Sequence, residues 1–324
     1  MSLPWLSDLK TRLDAVLVDQ RLGHAPLITG PQGVGKQQLA EWLVARILCL
    51  EPGAGQACGQ CRSCQLLASA SHPDYFPVAI PEDKKDIPVD AIRSLSQNLV
   101  LTPSIGTNRV GLIEVAEAMN INAANALLKT LEEPADNAWL VLVSHQPGRL
   151  PATIRSRCQP ITVHPPPREL ALQWLAEACP DVDEQKRLQA LSLSAEAPLA
   201  ARELLQDDGL EFGLEVLEAL QAVARGRPVT SVANDRWWQS PEQTWRWLAV
   251  WTRVMMRHAH GFDSDEQEPI AQQLPSGLDH RGLAELWQQA LSGRAMASST
   301  VRQDLFVTKW LLEWEAMIHR GNST

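Results

Sequence analysis

A phosphate-loop motif near the N-terminus constrains the fold of this chain more than any other feature. Residues 30–36 read GPQGVGK, which matches the pattern GxxxxGK. An apolar run begins at Pro26 just before the motif, and Lys36–Leu50 carries apolar residues at helical spacing after it. The order strand, glycine-rich loop, helix lets backbone N–H groups and a lysine surround phosphate oxygens. The motif therefore predicts an α/β domain with a phosphate-binding turn.

The motif is incomplete as an ATP site. Its candidate cofactor-binding residues are Gly30, Gly33, Gly35, Lys36 and Gln37. Gln37 stands where a serine or threonine hydroxyl would hold Mg²⁺. A later predicted strand, Arg109–Ile113, is followed by Glu114 and Val115, so the metal carboxylate is altered and the water-polarising carboxylate is missing. The loop is either a turn kept for its glycine geometry or a weak ATP or ADP site without turnover, and the sequence leaves both open.

Alternating strand and helix patterns continue to about His164 and then stop. Apolar runs recur at 75–80, 110–115, 139–143 and 161–163, with helix-like segments at 89–101, 122–133 and 150–155. This alternation predicts a parallel sheet covered by helices on both faces. Beyond the stiff connector Pro165–Pro167 only helical periodicity remains. We therefore predict three domains: an α/β core over 1–164, a small helical domain over 165–207 and an all-α domain over 208–324.

Composition and charge limit the kinds of partner. The net charge is −9, whereas a general duplex-binding surface needs clustered lysines and arginines, so we expect the main partners to be proteins. No stretch is as long and apolar as a membrane span of about 18 residues, which predicts a soluble, cytoplasmic protein with no membrane partner. In the last domain Trp245, Leu248, Thr252 and Met255 share one helix face, which favours core packing over a ligand site.

Four of the six cysteines are dense in sequence. Their spacing is C-x8-C-x2-C-x2-C, with Gly55 and Gly59 placed for tight turns: Cys49, Cys58, Cys61 and Cys64. In a reducing compartment this spacing indicates a metal site rather than disulfides, and four thiolates suit structural tetrahedral zinc. The alternative is a set of reduced core cysteines. Cys158 and Cys179 lack such partners and are predicted to be core residues.

Several motifs together resemble the AAA+ clamp-loader subunits, and among them the delta-prime subunits of bacterial DNA polymerase III. The shared features include His24 before the phosphate loop and the four-cysteine insertion after the loop helix. They continue with His72–Tyr75, Asn125–Pro134 and Ser156–Cys158. The resemblance covers the first two predicted domains strongly and the third only in length and helical character. It implies an AAA+ core with a zinc insertion, a helical lid and a C-terminal collar domain that joins a ring of subunits.

The same resemblance implies a role for Arg157. In this family the triplet Ser156–Cys158 presents an arginine finger across the subunit boundary, where it neutralises charge on the phosphoryl group being transferred. The segment Ala195–Ala200 has no arginine where hydrolysing relatives carry their second sensor. We therefore expect an ATPase-inactive stator that shows no intrinsic activity alone, within a DNA-directed DNA polymerase holoenzyme.

The resemblance also implies the partners: an ATPase subunit and a delta-like subunit in a hetero-oligomeric ring, with a sliding clamp and primed DNA reached through that complex. Two rival functions stay open. One is an active ATPase of the same ring, with Glu114 as the metal ligand. The other is a zinc-containing nucleic-acid-binding module, although 49–64 contains a single basic residue, Arg62.

Overall fold

The computed structural model describes residues 2–53, 55–82, 84–206, 209–260, 278–297 and 302–321. The chain forms two compact units, Met1–Ala178 with Ala195–Ala200, and Cys179–Ser194 with Ala201–Thr324. The division into three domains stays a prediction, and its proposed boundary between 207 and 208 lies outside the described residues.

A parallel five-stranded sheet forms the centre of the first unit. Its strands are β1 (Pro26–Thr29), β2 (Tyr75–Val78), β3 (Arg109–Ile113), β4 (Ala138–Ser144) and β5 (Gln159–Thr162). They lie in the order β2-β3-β4-β1-β5 and every neighbouring pair is parallel. Ile28 of β1 lies opposite Val143 on one side and Ile161 on the other. The α/β core with a parallel sheet is confirmed, since each strand overlaps one predicted run.

Helices precede, connect and follow these strands, because the connections between parallel strands are crossovers. They are α1 (Ser7–Val18), α2 (Lys36–Leu48), α3 (Arg62–Ala68), α4 (Val89–Leu99), α5 (Ile121–Glu132), α6 (Ala152–Arg155) and α7 (Arg168–Ala178). One buried cluster joins the sheet to α4, α5 and α6 through residues such as Leu142, Leu95, Leu127 and Ile154. The sequence did not predict α1, in which only Leu13 is buried, or α3, which is short, begins directly after Cys61 and contains Cys64.

Beyond residue 164 the described chain is helical. After α7 come α8 (Glu184–Leu193), α9 (Pro198–Gln206), α10 (Gly209–Ala224), α11 (Asp235–Gln239), α12 (Pro241–Ala259), α13 (His280–Met296) and α14 (Gln303–Gly321). The predicted tryptophan face on α12 is confirmed as core, because Trp245, Leu248, Thr252 and Met255 are all buried. None of the helices in the described ranges is long and apolar enough to cross a membrane.

Buried tryptophan side chains form hydrogen bonds between helices of the second unit. The N–H of Trp251 donates to Gly213 O at 2.7 Å, and that of Trp314 donates to Leu220 O at 3.0 Å. A Cβ on Gly213 would lie 2.4 Å from the ring of Trp247, so only glycine fits against this side chain. Each indole thus fills the core and satisfies a helix carbonyl in the same contact.

Candidate functional site

The phosphate loop lies between β1 and α2, and its glycines adopt backbone angles that favour glycine. Gly30, Gly33 and Gly35 have φ values of +145°, +83° and +95°. A Cβ on Gly30 would lie 2.2 Å from Val163 O, and one on Gly33 would lie 2.6 Å from the backbone nitrogen of Ala200. The glycines therefore allow both the turn and the close approach of other backbone segments.

Lys36 occupies the first position of α2 and is buried. Its Nζ donates to Pro31 O at 2.5 Å, within the loop itself. Burial lowers the pKa of Lys36 to about 8, an effect that the negative charge of Glu117 partly offsets. The ammonium group thus lies inside the loop, on a carbonyl oxygen of the chain.

Two of the positions that depart from a working ATP site, Gln37 and Glu114, lie near the carboxylate of Glu41. Gln37 Nε2 donates to Glu41 Oε1 at 3.2 Å, one helical turn further along α2. Glu114 directly follows β3, where burial and the nearby charge of Glu41 raise its pKa. The amide of Gln37 is therefore engaged on its own helix. An amide also lacks the hydroxyl that a magnesium site of this class uses.

The structure adds a polar group that the sequence reasoning missed, at the carboxyl end of β4. Glu117 Oε1 accepts the backbone N–H groups of His145 and Gln146 at 2.8 and 3.0 Å. Burial and the charge of Lys36 lower the pKa of His145, while Glu117 raises it. Ser144 Oγ, beside them, is buried with no hydrogen-bond partner among the described residues. In the sequence, this site could have been suggested by His145 and Gln146, two polar residues that directly follow the apolar strand β4.

The four predicted metal ligands converge. The sulfur atoms of Cys49, Cys58, Cys61 and Cys64 all lie within 4.8 Å of one another. Two pairs, Cys49 with Cys61 and Cys58 with Cys64, are 4.0 Å apart. A tetrahedral zinc with Zn–S bonds of about 2.3 Å needs sulfur separations of about 3.8 Å. The cluster can therefore hold a metal ion with small adjustments of its side chains.

Hydrogen bonds within the cysteine cluster shift the pKa values of two of its thiols. The N–H of Cys58 donates to Cys49 Sγ and that of Cys61 donates to Cys58 Sγ, both at 3.3 Å. Burial raises the pKa of Cys61, but backbone hydrogen bonds from Cys64 and Leu50 bring it down to about 6. Burial and the hydrogen bond with Cys61 raise the pKa of Cys64 to about 12. Metal binding therefore has to release the proton of Cys64.

A chain of hydrogen bonds joins the cysteine cluster to β2. The backbone N–H of Asp74 donates to His72 Nδ1 at 3.1 Å, so the neutral ring carries its proton on Nε2 and donates it to Ser63 Oγ at 2.9 Å. Ser63 then donates to Leu48 O at 2.6 Å. Burial lowers the pKa of His72, which favours this neutral form. The His72–Tyr75 motif thus ties the cysteine insertion to the sheet.

Arg157 lies in the short connection between α6 and β5. Its side chain is 35% exposed, whereas the next residue, Cys158, is buried and burial raises the pKa of that thiol to about 11. The guanidinium contacts Glu132 Oε1 at 2.6 Å and donates to Thr153 O at 3.0 Å. Cys158 is therefore a core residue, as predicted, and so is the buried Cys179.

Comparison with known proteins gives one consistent result. The family model described as DNA polymerase III, delta subunit, matches residues 5–167. The DNA polymerase III subunit delta′ of Pseudomonas aeruginosa is 39% identical over 263 residues, which cover 81% of this chain and 79% of that protein. The Escherichia coli subunit of the same name is 32% identical over 326 residues, covering 98% and 96%.

A solved structure, that of a DNA polymerase III gamma subunit-related protein of Thermotoga maritima, aligns with a TM-score of 0.47 at 15% identity, covering 95% of this chain and 99% of that one. The family model and the curated relatives establish the sequence family by themselves. Half of the chain matches the model, and identity above 30% extends over most of its length. The chain belongs to the DNA polymerase III delta-prime family.

Proposed function

We propose that this chain, a clamp-loader subunit by its family, supplies Arg157 to the ATP site of a neighbouring subunit and hydrolyses little or no ATP itself. The observation that carries the proposal is the position of the Arg157 guanidinium, partly exposed on a segment whose neighbours are core residues. Ile154 and Cys158 are both buried, so the backbone that presents the arginine is held firmly. A planar guanidinium held in this way suits a charged phosphoryl group in trans.

Contacts of the phosphate loop support the second part of the proposal, that the chain hydrolyses little or no ATP. Lys36 donates to Pro31 O, Gln37 donates to Glu41, and Ala200 lies against Gly33. Leu199 N–H also donates to Gly33 O at 3.0 Å, so the segment without a sensor arginine is bound to the loop. These contacts favour the loop as a structural turn over a weak nucleotide site.

We assign zinc as the ion that the cysteine cluster holds. Four thiolates at near-tetrahedral separation are the ligand set that zinc takes in structural sites, with no open coordination position for catalysis. When bound, the ion would supply a rigid cross-link between the end of α2 and the start of α3. The hydrogen bonds through Ser63 and His72 would carry that rigidity to the sheet.

The proposed partners follow from the family. An ATPase subunit would receive Arg157, a delta-like subunit would complete the hetero-oligomeric ring, and the all-α region would form part of its collar. A sliding clamp and primed DNA would be reached through the complex, in the cytoplasm.

The decisive experiment measures steady-state ATP hydrolysis by this chain alone, and by its mixture with an ATPase clamp-loader subunit, clamp and primed DNA. We expect the chain alone to be inert. Arg157→Ala should lower the rate at the neighbouring site by about 10³. Arg155→Ala is the matched control, because Arg155 is also exposed and only two residues away.

Three outcomes would count against the proposal. Magnesium-dependent turnover by the chain alone would support the active-ATPase alternative. An ATP hydrolysis rate of the mixture that is unchanged by Arg157→Ala would exclude the arginine-finger role. Steeply salt-dependent binding of DNA by the chain alone would favour the nucleic-acid module.

The zinc assignment has its own test. Atomic emission should find one zinc ion per wild-type chain and a loss of that zinc in Cys58→Ser. Cys179→Ser is the control, because Cys179 is buried outside the cluster and should leave the metal content unchanged. A wild-type chain purified without zinc, and unable to take it up after reduction, would contradict the assignment.

A further inference from the structure

The carboxylate of Glu132 forms an ion pair with Arg157 within the same chain. Arg157 Nη2 lies 2.6 Å from Glu132 Oε1, and Nη1 donates to Thr153 O at 3.0 Å and to Ser156 Oγ at 3.3 Å. Both terminal nitrogens of the guanidinium are therefore engaged by the chain itself. The pair is half-exposed, with 35% of the arginine side chain and 49% of the glutamate side chain open to solvent.

The position of Glu132 is unfavourable for its helix. It is the last residue of α5, where the helix dipole disfavours a carboxylate. Helix stability therefore does not account for an acidic residue here, whereas the pairing with Arg157 does.

The core fixes the distance between the two groups. Leu131, next to Glu132, and Cys158, next to Arg157, belong to one buried cluster, and α5 packs on α6. His24 Nε2 also lies 3.2 Å from Leu131 O, at the end of α5. The backbone positions are thus held, while both side chains reach out of the core to meet at the surface.

A carboxylate and a phosphate use the same donors of a guanidinium. A half-exposed ion pair is weak. It can therefore orient the guanidinium without preventing that group from moving to a more highly charged partner. We propose that Glu132 is a positioning residue for Arg157: it holds the guanidinium on its own chain until the phosphoryl oxygens of a neighbouring ATP replace the carboxylate. This inference rests on the proposed role of Arg157 in trans.

Glu132→Gln is the informative variant, because it keeps the shape of the side chain and removes the charge that competes with phosphate. The assay is steady-state ATP hydrolysis by the complex assembled with an ATPase subunit, over a range of ATP concentrations, with and without clamp and primed DNA. Without clamp and DNA, kcat/KM should rise by about two- to fivefold, the range expected for a weak exposed pair. With both present, kcat should stay at the wild-type value.

Glu133→Gln is the matched control, since Glu133 is the adjacent carboxylate, is exposed, and forms no ion pair among those found in the described residues. It should behave as wild type. The double variant Glu132→Gln with Arg157→Ala should match Arg157→Ala alone, because Glu132 acts through the arginine. Equal thermal midpoints for wild type and Glu132→Gln would exclude a folding defect as the cause.

Two results would refute this inference without refuting the proposed function, provided that Arg157→Ala still strongly lowers ATP hydrolysis by the mixture. One is a Glu132→Gln complex with wild-type kinetics in both conditions. The other is a Glu132→Gln effect that persists in the Arg157→Ala background. A mixture indifferent to Arg157→Ala would instead refute the proposed function, and this inference with it.

Discussion

The buried Asp74 carboxylate connects three segments of the first unit. It is fully buried and accepts backbone N–H groups from Ser104 at 2.8 Å and Ile105 at 2.7 Å. Arg109 Nη2 lies 3.2 Å from the same carboxylate, at the start of β3. The group thus holds the loop before β3 against the start of β2.

Asp74→Asn should destabilise the first unit by about 3–5 kcal/mol, the cost of removing one partner from a buried ion pair. An asparagine oxygen in the place of Oδ2 can still accept both backbone N–H groups, but the amide NH₂ in the place of Oδ1 cannot pair with Arg109. Arg109 would keep its bonds to Thr102 O and Asn98 O while its charge lost the only carboxylate found within ion-pair distance in the described structure.

Thermal unfolding and amide hydrogen exchange would measure this effect. A unit of this size loses roughly 2–4 °C in its midpoint for each kcal/mol, so the first unit should unfold well below the wild-type temperature. Exchange at Ser104 and Ile105 should accelerate, because a neutral amide oxygen is a weaker acceptor for their N–H groups than a carboxylate. Asp90→Asn is the matched control, since its pair with Arg93 is exposed and worth about 1 kcal/mol or less. Equal effects of the two substitutions would refute the reasoning.

Two further predictions concern Lys36 and Gly213. Burial lowers the pKa of Lys36 from 10.5 to about 8, so the unfolded chain binds more protons between these values and the wild type gains stability as the pH rises through them. Lys36→Met should therefore stabilise the fold most below pH 8 and progressively less toward pH 10.5; a pH-independent difference in urea unfolding would contradict this. Gly213→Ala should destabilise the second unit by about 1–3 kcal/mol through contact with Trp247, whereas Gly148→Ala, with open space around it, should not; equal unfolding midpoints would show that the helices adjust.

Local patterns predicted much of the fold. Each strand in the sheet was visible as an apolar run, and α2, α4 and α5 followed apolar residues at helical spacing. The glycine pattern predicted the loop at Gly30, and the cysteine spacing predicted a cluster whose sulfur atoms do converge. These features depend on residues close together in the chain, which is why a pattern of spacing can reveal them.

The missed features depend on residues distant in sequence. Glu117 meets the backbone after β4 because two parallel strands end at the same edge of the sheet. Glu132, at the carboxyl end of α5, pairs with Arg157, which is distant in sequence. No periodicity links such positions, since their proximity is created by the core that packs α5 on α6.

The sequence by itself determined the family, the α/β core, the clustering of four cysteines and the departures from the phosphate-loop pattern, because each depends on residue type and short spacing. Only the tertiary structure decided where the charged groups of the candidate site go. Lys36 bonds its own loop, Ala200 lies against Gly33, and Glu132 pairs with Arg157. The physical reason is that charges and close backbone approaches act through distance in space, which folding sets independently of separation along the chain.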